Sequence, residues 1–305
     1  MMIRSEKFLV SAGFSIVCLV WGSTWMAIKI GLESVPPLLA VGVRFLLASA
    51  ILYGIIRIKK ISIESGPRAY KLYAALILLS YTVPFALVYW GQQFIPSSLS
   101  SILFSALPLW VALFSHFILP NEQITSLKII GVLIGVAGVY TIFSGELEWV
   151  GLEGLAGMLA IIASTIMQGM SLVLVKRFGQ TQHPVAMNFV GMGLGGILLL
   201  VAAFLIEPVE TARWDGAAIG SILYLTVVGS VVVFVTYYWL LKRTEAVVLS
   251  LTSFVTPIVA VILGALILDE TLSPNTFLGG LLVLVGILVA NGKMFYKRYA
   301  RVYNA

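Results

Sequence analysis

Arg44 is the side chain whose presence most needs a chemical reason. It stands seven residues after Pro37 inside an apolar run, ~10 Å deep if that run is a helix rising ~1.5 Å per residue. A charge at such depth is costly, and it normally faces a cavity, a partner or backbone carbonyls. No acidic residue falls at similar depth in any other apolar run. Two chemistries remain open: holding carbonyls at a helix end, or binding the carboxylate of a substrate. Aromatic residues supply a second chemistry. Trp21 and Trp110 lie near the middle of their runs, and Trp25 follows Trp21 by one turn on a similar face. An indole N–H has no acceptor in lipid, so these rings either pack with an internal partner or line a pocket for an aromatic or apolar solute. Tyr81, Tyr89 and Tyr237 can join that pocket, and Gln168 adds an amide near mid-run. Gln92, Gln93, Asn188 and His116 read more simply as interhelical hydrogen-bonding groups. Lys29 is shallow enough to snorkel to the interface.

Other chemistries lack their residues. There is no Walker-type loop, no CxxC or HExxH site and no pair of carboxylates inside an apolar run, so neither metal nor cofactor is expected. Asp269-Glu270 is a lone acidic pair at the end of a run and reads as a helix boundary. A membrane-embedded lipid-modifying enzyme would need an acidic metal motif or a His/Asp pair at the surface. A passive channel would usually need symmetry about the membrane normal. With neither signature present, the chain is not expected to be an enzyme.

The elements that position these groups are membrane helices. Of 305 residues, 60% are hydrophobic and 10% charged, against about 25% charged in soluble domains. Runs of about 20 apolar residues place ten spans near 9–31, 37–57, 72–93, 98–119, 125–144, 152–175, 184–206, 217–240, 246–268 and 275–294. The first run resembles a signal anchor that is retained. Cys18 is the single cysteine, so no internal disulfide can form. With the N-terminus inside, 16 of the 19 basic residues fall on the inner side, leaving Lys29, Arg44 and Arg213, while the acidic residues favour the outer side. Both termini are therefore expected to be cytoplasmic. The net charge of +6 follows from that topology and from inner-leaflet attraction, so no nucleic-acid partner is expected.

The chain is also written twice. Tyr89-Trp90, Pro108, Asn121-Glu122, Gly131 and Gly138 return as Tyr238-Trp239, Pro257, Asp269-Glu270, Gly279 and Gly286. The offset is 149 residues at the prolines (257 − 108) and 148 from the acidic pair onward (270 − 122). Lys29, Gly22 and Pro37 match Lys176, Gly169 and Pro184 more weakly, at an offset of 147 (176 − 29). Each copy holds five spans, an odd number, so the second copy begins on the opposite face and runs inverted. Inverted copies support alternating access around a site between them. The matched Pro108 and Pro257 break their helices and are candidate hinges; Pro84 reads as a packing kink. Symmetry fails where Arg44 meets Gly191 and Trp21 meets Gln168.

Three segments resemble the EamA family of the drug/metabolite transporter superfamily. They are Trp21-Gly22-Ser23-Thr24-Trp25 with Ala27-Ile28-Lys29 and Gly31, then Pro36-Pro37 with Arg44-Phe45, and the proline–acidic–glycine layout of spans four-five and nine-ten. The resemblance implies an all-α integral membrane protein of ten transmembrane helices, in two inverted five-helix repeats around a central cavity. The repeats fall at 1–147 and 148–305, with helices five and ten peripheral. It further implies a secondary transporter that moves small organic solutes, amino acids or related metabolites, with export as the expected direction, in a prokaryotic inner membrane. The partners expected are a small-molecule substrate and the lipid bilayer. Gly131-x-x-x-Gly135 and Gly191-x-x-x-Gly195 offer close-packing faces that do not by themselves predict a dimer, and a monomer suffices.

Overall fold

A computed structural model describes residues 2–119, 126–241, 252–290 and 292. Every long element in them is a helix, and no strand occurs among the described residues. We number the helices α1 Met2–Leu32, α2 Pro37–Lys59, α3 Pro67–Gly91, α4 Ser97–Ile118, α5 from Ser126 to a break at Gly151, and α6 Gly151–Phe178. Then follow α7 Pro184–Ile206, α8 Gly216–Leu241, α9 Thr252–Ile267 and α10 Pro274–Ala290. Seven of them are long and apolar enough to cross a membrane, and α5, α9 and α10 contain shorter apolar helices. The predicted spans and the observed helices agree closely. The boundary between spans four and five, at Pro120–Gln123, the start of span nine at 246–251 and the end of span ten beyond 292 lie outside the described residues.

Local chemistry sets the helix ends. Proline opens α2, α3, α7 and α10, where its missing N–H would be unsatisfied anyway and its φ already suits a helix. From Ser126 to Phe178 the backbone is helical over 53 residues except at Gly151, with φ 63° and ψ −166°. An unbroken helix of that length would measure ~80 Å, far more than the ~30 Å hydrocarbon slab. A residue without a Cβ reaches this φ without strain, so Gly151 divides α5 from α6.

Matched helices of the two halves pack against one another. Between α2 and α7, a Cβ on Gly42 would lie 2.7 Å from Leu200, and one on Gly196 would lie 3.1 Å from the Leu46 nitrogen. Between α5 and α10 the fit is tighter: a Cβ on Gly138 would meet the Gly279 oxygen at 2.6 Å, and one on Gly279 would meet the Gly138 oxygen at 2.6 Å. The glycine row of α5 is thus a contact face toward α10, where close backbone approach provides the packing that lipid cannot, whereas Gly191 and Gly195 of α7 face Tyr81 and Thr82 of α3. The main core runs through α1, α2, α3, α4, α6, α7 and α8, the helices that carry the candidate residues.

Two helices contain a wide turn. Ile77–Thr82 in α3 and Val227–Val232 in α8 are π-helical. The Val83 N–H reaches back to Leu78 O and the Val233 N–H to Val228 O, each spanning five residues instead of four. The two segments stand 150 residues apart (227 − 77), within a residue of the repeat offset. Such bulges often mark functional sites.

Candidate functional site

Arg44 meets the second of these wide turns. The residue is 2% exposed, and its guanidinium reaches from α2 to α8. Nε donates to Ser230 Oγ at 3.0 Å, one terminal nitrogen to Tyr89 Oη at 3.1 Å, and the other to Gly229 O at 3.2 Å. The backbone carbonyl is available because the π turn displaces it from the regular helical ladder. Ser230 Oγ itself donates to Leu225 O at 2.9 Å, which holds the turn open. Of the two chemistries expected for Arg44, carbonyl binding at a helix irregularity is therefore present. These bonds use three of the five guanidinium N–H groups. Among the described residues no carboxylate neutralises the charge. Its carbon also lies 5.4 Å from the ring centres of both Phe45 and Phe85, within cation–π range.

The first wide turn makes the matching contact with its side chains exchanged. Under the repeat offsets, Gly191 occupies the Arg44 position and Tyr81 the Ser230 position. A Cβ on Gly191 would lie 2.4 Å from the Tyr81 ring, so the tyrosine fills the space that the arginine fills in the other half. The Tyr81 hydroxyl donates to Asn188 Oδ1 on α7, and the Asn188 amide donates to Pro184 O at 3.0 Å. Asn188 is thus the interhelical bonding group that the sequence suggested.

An aromatic chain joins the two turns. Tyr81 lies 5.6 Å from Phe45 and 6.1 Å from Phe234, while Phe45 lies 4.8 Å from Phe85. Trp21 of α1 continues the chain, 5.8 Å from Phe234 and 4.8 Å from Tyr237. The structure therefore brings Trp21, Arg44, Tyr81, Tyr89 and Tyr237 into one connected cluster. Tyr81 and Tyr89 are fully buried, whereas Trp21 and Tyr237 keep partial exposure. Phe45, Phe85, Phe234 and Ser230 are members that the sequence reading missed. The signal was available for one of them, since Phe45 adjoins Arg44.

The other candidates fall into separate groups. Trp25 is buried against Phe104 at 5.2 Å, and its carbonyl accepts from Gln92 Nε2 at 2.7 Å. Gln92 is thereby interhelical glue. Trp110 backs onto Gly169, where a Cβ would lie 2.9 Å from the Trp110 Cβ. Gln168, which precedes Gly169 in the chain, is half-buried. The Trp110 indole nitrogen is buried with no partner among the described residues, against the expectation that a mid-membrane indole finds one. Pro108 begins the second half of α4, just past a break at Ser105-Ala106. Pro257 lies buried inside α9.

Lys29 departs from the sequence reading. It does not snorkel. Its ammonium turns to the backbone and donates to the carbonyls of Gln92, Gln93 and Ile95 at 2.8, 3.3 and 3.0 Å. A groove of ≈ 790 Å³ lies between α2, α3 and α7, lined by Leu38, Val83, Trp90, Leu199 and Ile206 and bordered by Glu33, Glu207 and Arg213. None of the candidate residues borders it, and Val83, Trp90 and Ile206 are exposed. The groove thus holds none of the buried aromatic and guanidinium groups that the Arg44 cluster brings together.

The model of the EamA-like transporter family matches twice, over residues 11–144 and 155–292. The uncharacterized transporter YoaV of Bacillus subtilis (strain 168) is 31% identical over 283 residues, covering 92% of this chain and 96% of its own. The uncharacterized inner membrane transporter YedA of Escherichia coli (strain K12) is 30% identical over 284 residues, 91% of this chain and 89% of its own. A chain of known crystal structure, 20% identical, aligns with a TM-score of 0.69 over 95% of this chain and 98% of its own, which speaks for the fold alone.

Proposed function

The chain belongs to the EamA-like transporter family, and from that premise we propose that its cargo is a small organic carboxylate, an amino acid or related metabolite, exported by alternating access. The observation that carries this reading is Arg44: a buried guanidinium beside a partly open aromatic cluster, with two N–H groups unspent and no carboxylate partner among the described residues. An uncompensated charge in a low-dielectric interior is costly. A carboxylate-bearing solute supplies the missing charge on binding. Trp21 and Tyr237, the members that keep some exposure, would receive its apolar body, with Tyr81 and Tyr89 fixing the arginine's surroundings. Trp25, Trp110 and Gln168 extend the lining along α1, α4 and α6, and Pro108 and Pro257 serve as pivots.

The same reading divides the chain into repeats at 1–147 and 148–305 and places both termini in the cytoplasm of a prokaryotic cell, with a monomer as the working unit. The basic-residue distribution supports the orientation.

Counterflow in proteoliposomes, screened with amino acids and aromatic carboxylates, tests the proposal. Arg44→Gln should raise KM for the carboxylate solute by at least about tenfold, the loss expected for a charge-assisted hydrogen bond, while folded protein is retained. Unchanged affinity in folded Arg44→Gln protein would falsify it.

A further inference from the structure

Two loops on one face of the bundle are held by the same arrangement of charges. The loop joining α3 to α4 ends at Pro96, the N-cap of α4. On one side of that proline, the Lys29 ammonium takes the carbonyls of Gln92, Gln93 and Ile95. On the other side, the Glu270 carboxylate accepts the N–H groups of Ser97 and Ser98 at 2.6 and 2.9 Å and the Ser98 hydroxyl at 2.6 Å. The loop joining α1 to α2 repeats the pattern around Pro36. Arg213 donates its guanidinium to Glu33 O at 3.2 Å and its backbone N–H to Ser34 O at 2.8 Å. Beyond the proline, Glu207 accepts the Leu38 and Leu39 N–H groups at 2.8 and 3.0 Å.

The physical reason is the same at both loops. The end of one helix leaves unsatisfied carbonyls and the start of the next leaves unsatisfied N–H groups. A cation suits the first and a carboxylate the second. Neither Pro36 nor Pro96 offers a side chain to cap its helix, so each cap is supplied from a distance. Glu207 ends α7 and caps α2; Glu270 follows α9 and caps α4. Each carboxylate thus joins a helix to its match in the other repeat. The helices are also tight at this face: a Cβ on Gly31 would lie 2.7 Å from Ser221 Oγ, and one on Gly91 would lie 2.8 Å from Gly157 O.

We infer that Glu270 with Lys29, and Glu207 with Arg213, are positioning residues that clasp the two repeats together at this face of the carrier, Glu207 and Arg213 doing so at the rim of the groove. The face opens when the carboxylates leave the first turns of α2 and α4. The inference rests on the alternating-access reading above, since only a protein that opens needs a releasable hold. No part of it requires these residues to touch the solute.

Face-specific labelling tests it without a transport assay. In a Cys18→Ser background, Thr24→Cys places a reporter in the buried middle of α1, and a membrane-impermeant maleimide is added from the side of these loops. Glu270→Gln and Glu207→Gln should each raise the labelling rate about five- to tenfold, the population shift expected for a lost helix cap. Lys29→Gln should do the same, and Lys29→Arg should restore most of the block. If Glu270→Gln does not yield folded protein, the Lys29 pair carries the same comparison. Unchanged labelling in folded Glu270→Gln and Glu207→Gln proteins overturns the inference. So does an equal rise when the maleimide is added from the opposite side, because general loosening would then be the cause. If labelling shifts as expected but no solute shows counterflow, the hold stands and the substrate reading fails.

Discussion

At the residue scale, the two halves of this chain make one contact with opposite economies of size. Arg44 on α2 fills the space above Ser230 on α8, while Tyr81 on α3 fills the space above Gly191 on α7. The exchange leaves one guanidinium in the molecule's centre where strict symmetry would give two or none. It makes the pair testable. Tyr81 is buried and bonded to Asn188, so its ring cannot swing aside for a new methyl group. Gly191→Ala should therefore cost about 1–3 kcal/mol through overpacking, read as a lower melting temperature in detergent. Combining it with Tyr81→Leu should recover about 1 kcal/mol relative to the sum of the single changes, as expected for residues in contact. Simple additivity would mean that the ring does not seat on Gly191.

At the scale of elements, the wide turns in α3 and α8 have different local causes. In α3, Pro84 stands two residues past the last residue of the π segment. A proline ring clashes with the carbonyl four residues earlier, and the extra residue in Ile77–Thr82 relieves that clash. In α8 no proline follows; Ser230 and Arg44 take up the displaced groups instead. Pro84 is therefore already accommodated by its neighbours. Pro108 sits just past a break in α4, and Pro257 lies buried within the continuous helix α9. Replacing Pro108 or Pro257 by alanine should slow counterflow roughly five- to thirtyfold if each pivot is worth about 1–2 kcal/mol. Pro84→Ala should do markedly less. Equal rates in all three, at equal expression, would remove the distinction.

Across the whole molecule, the loops between repeats add a pH-sensitive contact. Asp215 accepts from the Ser34 hydroxyl at 2.6 Å and caps α8 through the Ala218 N–H at 2.8 Å. The Ser34 hydroxyl first, and then the backbone N–H, hold its carboxyl below the usual aspartate range. Because the native value is lowered, the stabilisation is complete above the unfolded value near ~3.9 and is lost as pH falls through the native one. The melting temperatures of wild type and Ser34→Ala, separated at pH 6, should converge as the pH drops below about 4. A gap that stays constant would exclude Asp215 as its source. The sequence by itself determined the helices, their boundaries, the repeat and its inversion. These depend on hydrophobic length, proline and glycine placement and charge distribution, all of which are local or periodic properties. It also marked Arg44, Trp21, Tyr81, Tyr89 and Tyr237, because polar and aromatic groups deep in an apolar run stand out one at a time. Their assembly was decided only by the tertiary structure. Arg44 meets Ser230 186 positions away, and no spacing rule reaches that far. The π turns, the turn of Lys29 toward backbone carbonyls and the caps from Glu207 and Glu270 were equally hidden. The lysine and the two carboxylates satisfy backbone groups of another element, the π turn of α8 frees a carbonyl for Arg44, and which groups are left unsatisfied is known only once the helices have packed.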